Sequence, residues 1–189
     1  MTTGAATREA DPGGDRELIV VSGAPGSGKT TLARRLSACT GIALLSKDVI
    51  KESLWDALAP SAEDLQTSRR IGGAAMEVLW ALAAHCPRVI LEANFRPHSE
   101  YERAKLSALS PRAVEVYCRC PPALATERYQ RRAAEPGHHR AHIASHLDPG
   151  LLAEFDGPVG IGTLIEVDTT AEVDVEALVA RVLHALQLR

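Results

Sequence analysis

Apolar residues cluster in five short runs, and the stretches between them repeat at helical spacing. The first run, residues 17–22 with Leu18, Ile19, Val20 and Val21 at its centre, is continuously apolar rather than alternating. That pattern predicts a central parallel strand buried on both faces. Further strands are expected at residues 42–46, 87–92, 113–118 and 163–168. A helix should run from about residue 29 to Cys39, with Gly41 as its stop signal. A second should cover 49–58, ended by Pro60. Ser61 is a plausible cap for a third, with Asp64 three residues on completing a box-like pattern. That third region reaches His85, with an interruption expected near Gly72 and Gly73; Ala75, Val78, Leu79, Leu82 and Ala83 recur at helical spacing. Pro97 is expected to start a helix through Leu109. Pro121 and Pro122 open another, interrupted at Pro136 and Gly137. A short helix over 151–155, a turn over 157–160 and an amphipathic helix over 174–188 complete the pattern. Strands alternating with helices imply a doubly wound α/β layer.

The totals narrow the class. A chain of 189 residues is most simply one domain, here 16–189, behind a floppy tail at 1–15 that lacks the apolar core of a signal peptide. The formal net charge of -3 argues against broad nucleic-acid binding, although a local basic patch is compatible with a strand end. Four cysteines (Cys39, Cys86, Cys118, Cys120) form no disulfide framework, and Cys118-x-Cys120 alone is too little for zinc. No apolar run reaches 18 residues, so no membrane span is expected, and the reading is cytoplasmic, as monomer or homodimer.

The chemistry is concentrated at the ends of the predicted strands. After the first comes GAPGSGKT, residues 23–30, a G-x-x-x-x-G-K-[ST] match between strand and helix. Gly23, Gly26 and Gly28 permit the torsions that turn successive N–H groups inward around phosphate oxygens. The helix N-terminus adds its own donors. Residues Gly23, Ala24, Pro25, Gly26, Ser27, Gly28, Lys29, Thr30 and Thr31 are the expected nucleotide site. Lys29 would serve the outer phosphates, and the Thr30 hydroxyl would ligate Mg2+. Ligands of such sheets lie beyond the carboxyl ends of the strands. Asp48 at the end of strand two fits a base or orienting group for an attacking hydroxyl; capping of the next helix is the plainer reading. Lys51, on the same face, would meet an anionic part of the acceptor or solvent. Glu92, after three apolar residues, would hold a magnesium-bound water or bind the acceptor. Asn94 and Arg96 follow as acceptor contacts, with surface exposure as the alternative for Arg96.

Arg128 and Arg132 share one helical face and repel unless an anion neutralises them, as phosphates under a closing lid at about 128–147 would. The alternative is a solvated basic face paired with Glu127 or Glu135. Arg140 is a weaker member. His138, His139, His142 and His146 read as lid or surface rather than a zinc site, and residues 137–150 as a mobile flap. Asp148, Asp156 and Asp168 read as turn and strand-end residues. The adenine base is expected near 118–122 and 168–170.

The segments GAPGSGKTTLA, LLSKDVIKESL, VILEANFRP and CRCPPALATERYQRR together resemble the P-loop kinases grouped with the AAA-family ATPases. Relatives include zeta toxins, chloramphenicol phosphotransferase, gluconate kinase and polynucleotide kinase. The resemblance covers about residues 18–146. It implies a P-loop, nucleoside-kinase-like three-layer sandwich with sheet order 2-3-1-4-5 and a helical lid. It implies ATP and Mg2+ at Lys29 and Thr30, hydroxyl activation at Asp48, and phosphate contacts from Arg128 and Arg132. Polynucleotide 5'-kinases carry Arg where Lys51 stands here, which lowers a nucleic-acid substrate. No N-K-x-D base-reading motif points to a GTPase. The expected activity is transfer of the γ-phosphoryl group of ATP to a hydroxyl of a sugar, nucleoside or antibiotic. The alternatives are a polynucleotide 5'-hydroxyl kinase and a nucleotide-binding regulatory protein with little turnover.

Overall fold

A computed structural model describes residues 16–110, 112–143, 149–155 and 157–187. The tail at 1–15, His146, Asp148 and Asp156 lie outside the described residues. The strands are β1 (Glu17–Ser22), β2 (Leu44–Ser46), β3 (Arg88–Glu92), β4 (Arg112–Arg119) and β5 (Thr163–Asp168). The helices are α1 (Lys29–Thr40), α2 (Lys47–Leu58), α3 (Leu65–Ala83), α4 (Glu100–Leu109), α5 (Pro122–Ala133), α6 (Pro149–Ala153) and α7 (Val175–Gln187). The strands form one sheet in the order β2-β3-β1-β4-β5, every described pair parallel. This is the expected three-layer α/β sandwich.

Alternate residues of β1 feed two cores. Ile19 and Val21 join Leu32 and Leu36 of α1 and Leu178 and Val182 of α7 on one face. Leu18 and Val20 join Leu79 and Trp80 of α3 and Leu106 of α4 on the other. Burial of a strand on both faces is why β1 reads as continuous rather than alternating.

Several features differ from the sequence expectation; β2 begins at Leu44 rather than 42, and α6 spans Pro149–Ala153 rather than 151–155. Helix α2 starts directly on β2, with Ser46 in extended backbone as its N-cap. Asp48 therefore stands in the first helical turn, neither at the strand end nor at the cap. Asp64, not Ser61, caps α3, its carboxylate accepting from the Thr67 N–H at 2.7 Å. Helix α3 passes through Gly72 and Gly73 unbroken, because Ile71, Ala75, Leu79 and Ala83 keep one face buried on both sides of them. Pro97 does not open α4; Ser99 caps it, accepting from Glu102 N–H, and the helix begins at Glu100.

Candidate active site

The turn from β1 into α1 has a geometry few side chains tolerate. Gly23, Gly26 and Gly28 have φ of 140°, 81° and 86°. A Cβ at Gly26 would overlap the Ala125 carbonyl of α5, and one at Gly23 would press on Ser27 Oγ and the Cys118 carbonyl. The loop is thus wrapped against α5 and the end of β4 with no room for a methyl group. Its buried Ser27 Oγ has no protein partner among the described residues. Thr169 Oγ1 donates to the Ser27 carbonyl at 2.7 Å, tying the loop after β5 to the phosphate loop.

Lys29 is buried, and its ammonium donates only to the Ala24 carbonyl, at 3.3 Å, among the described residues. Burial lowers its pKa, against the pull of the Glu92 and Asp48 carboxylates. A buried cation so weakly paired favours an anion in front of it. Thr30 Oγ1 donates to Glu92 Oε1 at 3.0 Å, and Ser46 Oγ to Glu92 Oε2 at 2.6 Å. These hard oxygen donors converge at the foot of the phosphate loop, a donor set that suits Mg2+, which prefers one or two protein oxygens alongside phosphate and water.

Asp48 faces the same space from α2. Lys47 Nζ donates to its Oδ1 at 3.1 Å. Burial alone would raise its pKa, but Lys47, His142 and Lys29 outweigh burial and hold the carboxyl at about 2. Lys51 is buried and donates to Ser68 Oγ at 2.7 Å; Ser68 in turn donates to the Ala141 carbonyl at 2.7 Å. Burial and Lys47 lower the Lys51 ammonium to about 8, against Asp48 and Glu52. Burial pushes the Cys118 thiol up to about 12 despite nearby Lys29, so it stays protonated and unreactive.

Two cavities meet at this point. One, of about 580 Å³, is lined by Lys29, Asp48, Lys51, Asn94, Tyr129 and Arg132 among others. The other, of about 420 Å³, is lined by Gly28, Thr31, Arg128, Arg132 and Thr169 among others. Arg132 borders both, its guanidinium 5.6 Å from the centre of the Tyr129 ring, and it forms no ion pair among the described residues. Its neighbour on the helical face is differently employed. Arg128 donates to the Thr169 and Thr170 carbonyls at 2.8 and 3.1 Å, which braces the loop after β5. Asn94 Oδ1 is buried at the wall of the larger cavity without a protein partner among the described residues. Arg96 also reaches that wall, but is held by Glu102 and Glu154 at 3.4 and 3.3 Å.

The polar stretch beyond α5 is docked rather than loose through residue 143. Ala141 is buried with Trp55 and Ile71. His142 Nε2 lies 2.8 Å from Glu52, His139 Nε2 3.3 Å from Asp56, and Arg140 3.3 Å from Glu63. Among the described residues, no three His, Cys, Asp or Glu side chains converge as a metal cluster.

A family model described as an AAA domain, AAA_33, matches residues 18–151, more than half of the chain. The chain belongs to the AAA_33 family. A candidate kinase from Chloroflexus aurantiacus J-10-fl is 32% identical with a TM-score of 0.75, over 92% of this chain and all of that one. A gluconokinase from Sinorhizobium meliloti 1021 aligns over 92% of this chain and 93% of its own, at 16% identity and TM-score 0.56. The APS kinase CysC of Mycobacterium tuberculosis, in complex with AMPPNP and APS, aligns over 92% and 99%, at 17% identity and TM-score 0.56. The last two likenesses are of fold. No curated protein matches this chain. The AAA_33 chain thus has a P-loop, nucleotide-binding kinase-like fold, and no described helix is long and apolar enough to cross a membrane.

Within this AAA_33 domain, several site residues escaped the sequence reading. Ser46 is one, and only its place at the end of an apolar run hinted at it. Tyr129 and Lys47 are others, each adjacent in sequence or one turn away from a residue already singled out. Glu115 is the largest omission. It is a carboxylate inside an apolar strand, fully buried, and it accepts from Ser22 Oγ at 2.6 Å and from Val159 and Gly160 N–H at 2.7 and 2.8 Å. It locks the end of β1, where the phosphate loop begins, to the 157–161 turn.

Proposed function

We propose that this protein is an ATP- and magnesium-dependent kinase that transfers the γ-phosphoryl group of ATP to a hydroxyl of a small polar molecule. The observation that carries this reading is the junction of the two cavities. The smaller borders the phosphate loop and the brace at Arg128. The larger contains Asp48. Arg132 borders both cavities and Lys29 the larger, and neither forms an ion pair with a carboxylate among the described residues. ATP fits the smaller cavity with its terminal phosphates toward Lys29 and Arg132. Thr30 and Glu92 would hold Mg2+, which supplies divalent charge against the phosphate oxygens.

The acceptor enters the larger cavity. Asp48 accepts a hydrogen bond from its hydroxyl and aims the oxygen at the γ-phosphorus. With its pKa near 2, Asp48 is a weak base toward a resting alcohol. It therefore takes the proton late, as the new P–O bond forms and the alcohol acidifies, which suits a loose transition state. Arg132 and Lys29 offset charge on the transferred group. The bond to ADP breaks, and Asp48 passes the proton on to water.

The test is ATP consumption with Mg2+ across nucleosides, sugars, sugar acids, aminoglycosides and 5'-hydroxyl oligonucleotides, with D48N as control. A phosphorylated product that D48N cannot make supports the reading. Near-normal transfer by D48N would remove Asp48 as the base. ATP hydrolysis with no accepted hydroxyl, unchanged in D48N, would replace the kinase by a nucleotide-binding regulator.

A further inference from the structure

The wall of the larger cavity contributed by α3 is unusual. Gly72 and Gly73 sit in the interior of a continuous 19-residue helix. Glycine is disfavoured against Ala at such positions. Neither is demanded by packing. A Cβ at Gly73 would meet nothing within 4 Å, and one at Gly72 would make ordinary contact with the Lys47 and Lys51 side chains, at 3.7 to 3.9 Å. Both glycines line the cavity. A side chain at 72 would thus press on the Lys47 ammonium and the Lys51 stem, and Gly73 leaves open space next to it.

The charges around that space do not balance. Arg96 is neutralised by Glu102 and Glu154. If Lys29 and Arg132 serve the ATP phosphates, Lys47, Lys51 and Arg69 are left with Asp48, which Lys47 already contacts, and the more distant Glu52, which His142 holds at 2.8 Å. Lys51 is only 6% exposed and makes no ion pair among the described residues. Ser68 takes one of its three donors. Arg69, exposed at the rim, also has no ion pair among them. A neutral acceptor would leave the buried Lys51 ammonium with no ion-pair partner among the described residues, which is costly in a desolvated site. The Lys51 ammonium, lowered to about 8 by burial and by Lys47, is still mostly charged at neutral pH.

We infer that the acceptor carries an anionic group, a carboxylate or a phosphate, beside its reactive hydroxyl, and that Lys51, with Lys47 and Arg69, receives this group in front of Gly72 and Gly73. This rests on the kinase reading for the larger cavity being the acceptor site. The acceptors are then small hydroxy acids or phosphorylated hydroxy compounds, held within a cavity of about 580 Å³.

The test separates the two readings. The full chain is first titrated with AMPPNP and Mg2+ by calorimetry. The nucleotide-saturated protein is then titrated with D-gluconate, glucose 6-phosphate and glucose, which compare carboxylate, phosphate and neutral probes. At least one anion should bind about tenfold or more tightly than glucose. K51M should remove that advantage, a loss of roughly 10- to 100-fold for a charge-assisted contact, with AMPPNP affinity retained as proof of folding. Because K51M alters a buried position, R69E at the exposed rim is the second variant, expected to weaken the anion severalfold. The inference falls if no anion outbinds glucose, or if folded K51M and R69E both keep wild-type anion affinity. Failure of AMPPNP to bind would overturn the kinase reading alone, and the comparison of probes between wild type and K51M would still decide the anion subsite.

Discussion

Replacing Glu115 by Gln should destabilise the protein more than any other isosteric change in the sheet. In the wild type, Oε1 accepts from Ser22 Oγ and Val159 N–H, and Oε2 from Gly160 N–H and, at 3.4 Å, from Ile161 N–H. Glutamine keeps the shape but has one acceptor oxygen. If that oxygen takes the Oε1 place, the new NH2 points at the Gly160 and Ile161 N–H groups, donor against donor. If it takes the Oε2 place, the NH2 faces the buried Val159 N–H, while Ser22 can rotate to accept. Each arrangement orphans at least one backbone donor, at about 1–3 kcal/mol, and weakens the remaining bonds by removing the charge. The total is roughly 2–4 kcal/mol, against a whole stability of about 5–15 kcal/mol. At about 2–4 °C per kcal/mol for a chain of this size, the melting temperature should fall by roughly 5–15 °C. Urea unfolding at neutral pH, with the slope unchanged, measures the free energy directly. A loss below about 0.5 kcal/mol would mean that the 157–161 turn is not held by this carboxylate, and the reasoning would fail.

Asp48 gives a second prediction through its pKa of about 2, depressed from the ordinary 3.8. Its ionised form contributes stability that is complete above pH 3.8 and lost as pH falls through 2. The stability gap between wild type and D48N should therefore be constant from neutral pH to about 4 and close below it, as urea titrations across that range would reveal. Arg128 and Arg132 should separate kinetically. R132Q should lower kcat by about 10²-fold or more with modest change in nucleotide affinity, since its charge is free for the transferred group. R128Q should weaken nucleotide binding more than kcat, because it loosens the Thr169–Thr170 backbone; equal effects from the two would refute the division. G26A should abolish AMPPNP binding in calorimetry, as its methyl group would overlap the Ala125 carbonyl; normal binding would mean that α5 yields easily.

What the sequence made legible follows from what kind of signal each residue leaves. Strand β1 and the phosphate loop were readable because their constraints are local: a strand buried on both faces must be apolar throughout, and a backbone at positive φ calls for glycine. The sheet order came from resemblance, since no local rule orders parallel strands. Asp48, Lys51, Glu92 and Asn94 were found together because they end predicted strands or begin the next helix. Their partners were not. Ser46 meets Glu92, Ser22 meets Glu115, and Ser68 links Lys51 to Ala141 across 46, 93 and 73 positions of chain respectively for the bonds to Glu92, Glu115 and Ala141. Serine leaves no pattern that announces such pairings. Arg128 and Arg132 looked equivalent on one helical face. Only the loop after β5, folding back under Arg128, assigns them different contacts. The His-rich stretch looked like surface by composition, and the small buried Ala141 that anchors it gives no hydrophobic signal of its own.

Arg132 stands in the common wall of two cavities. It is the residue that the two linings share. One molecule with a head for each compartment, joined by a short linker past that guanidinium, would make its second contact intramolecularly. Its affinity would then rise by the effective concentration of one head for the other rather than by any new contact. Such a two-headed ligand would also be selective, because its linker length must match the spacing across Arg132 in this chain, whereas a mimic of the nucleotide alone would meet a phosphate loop shared by many folds.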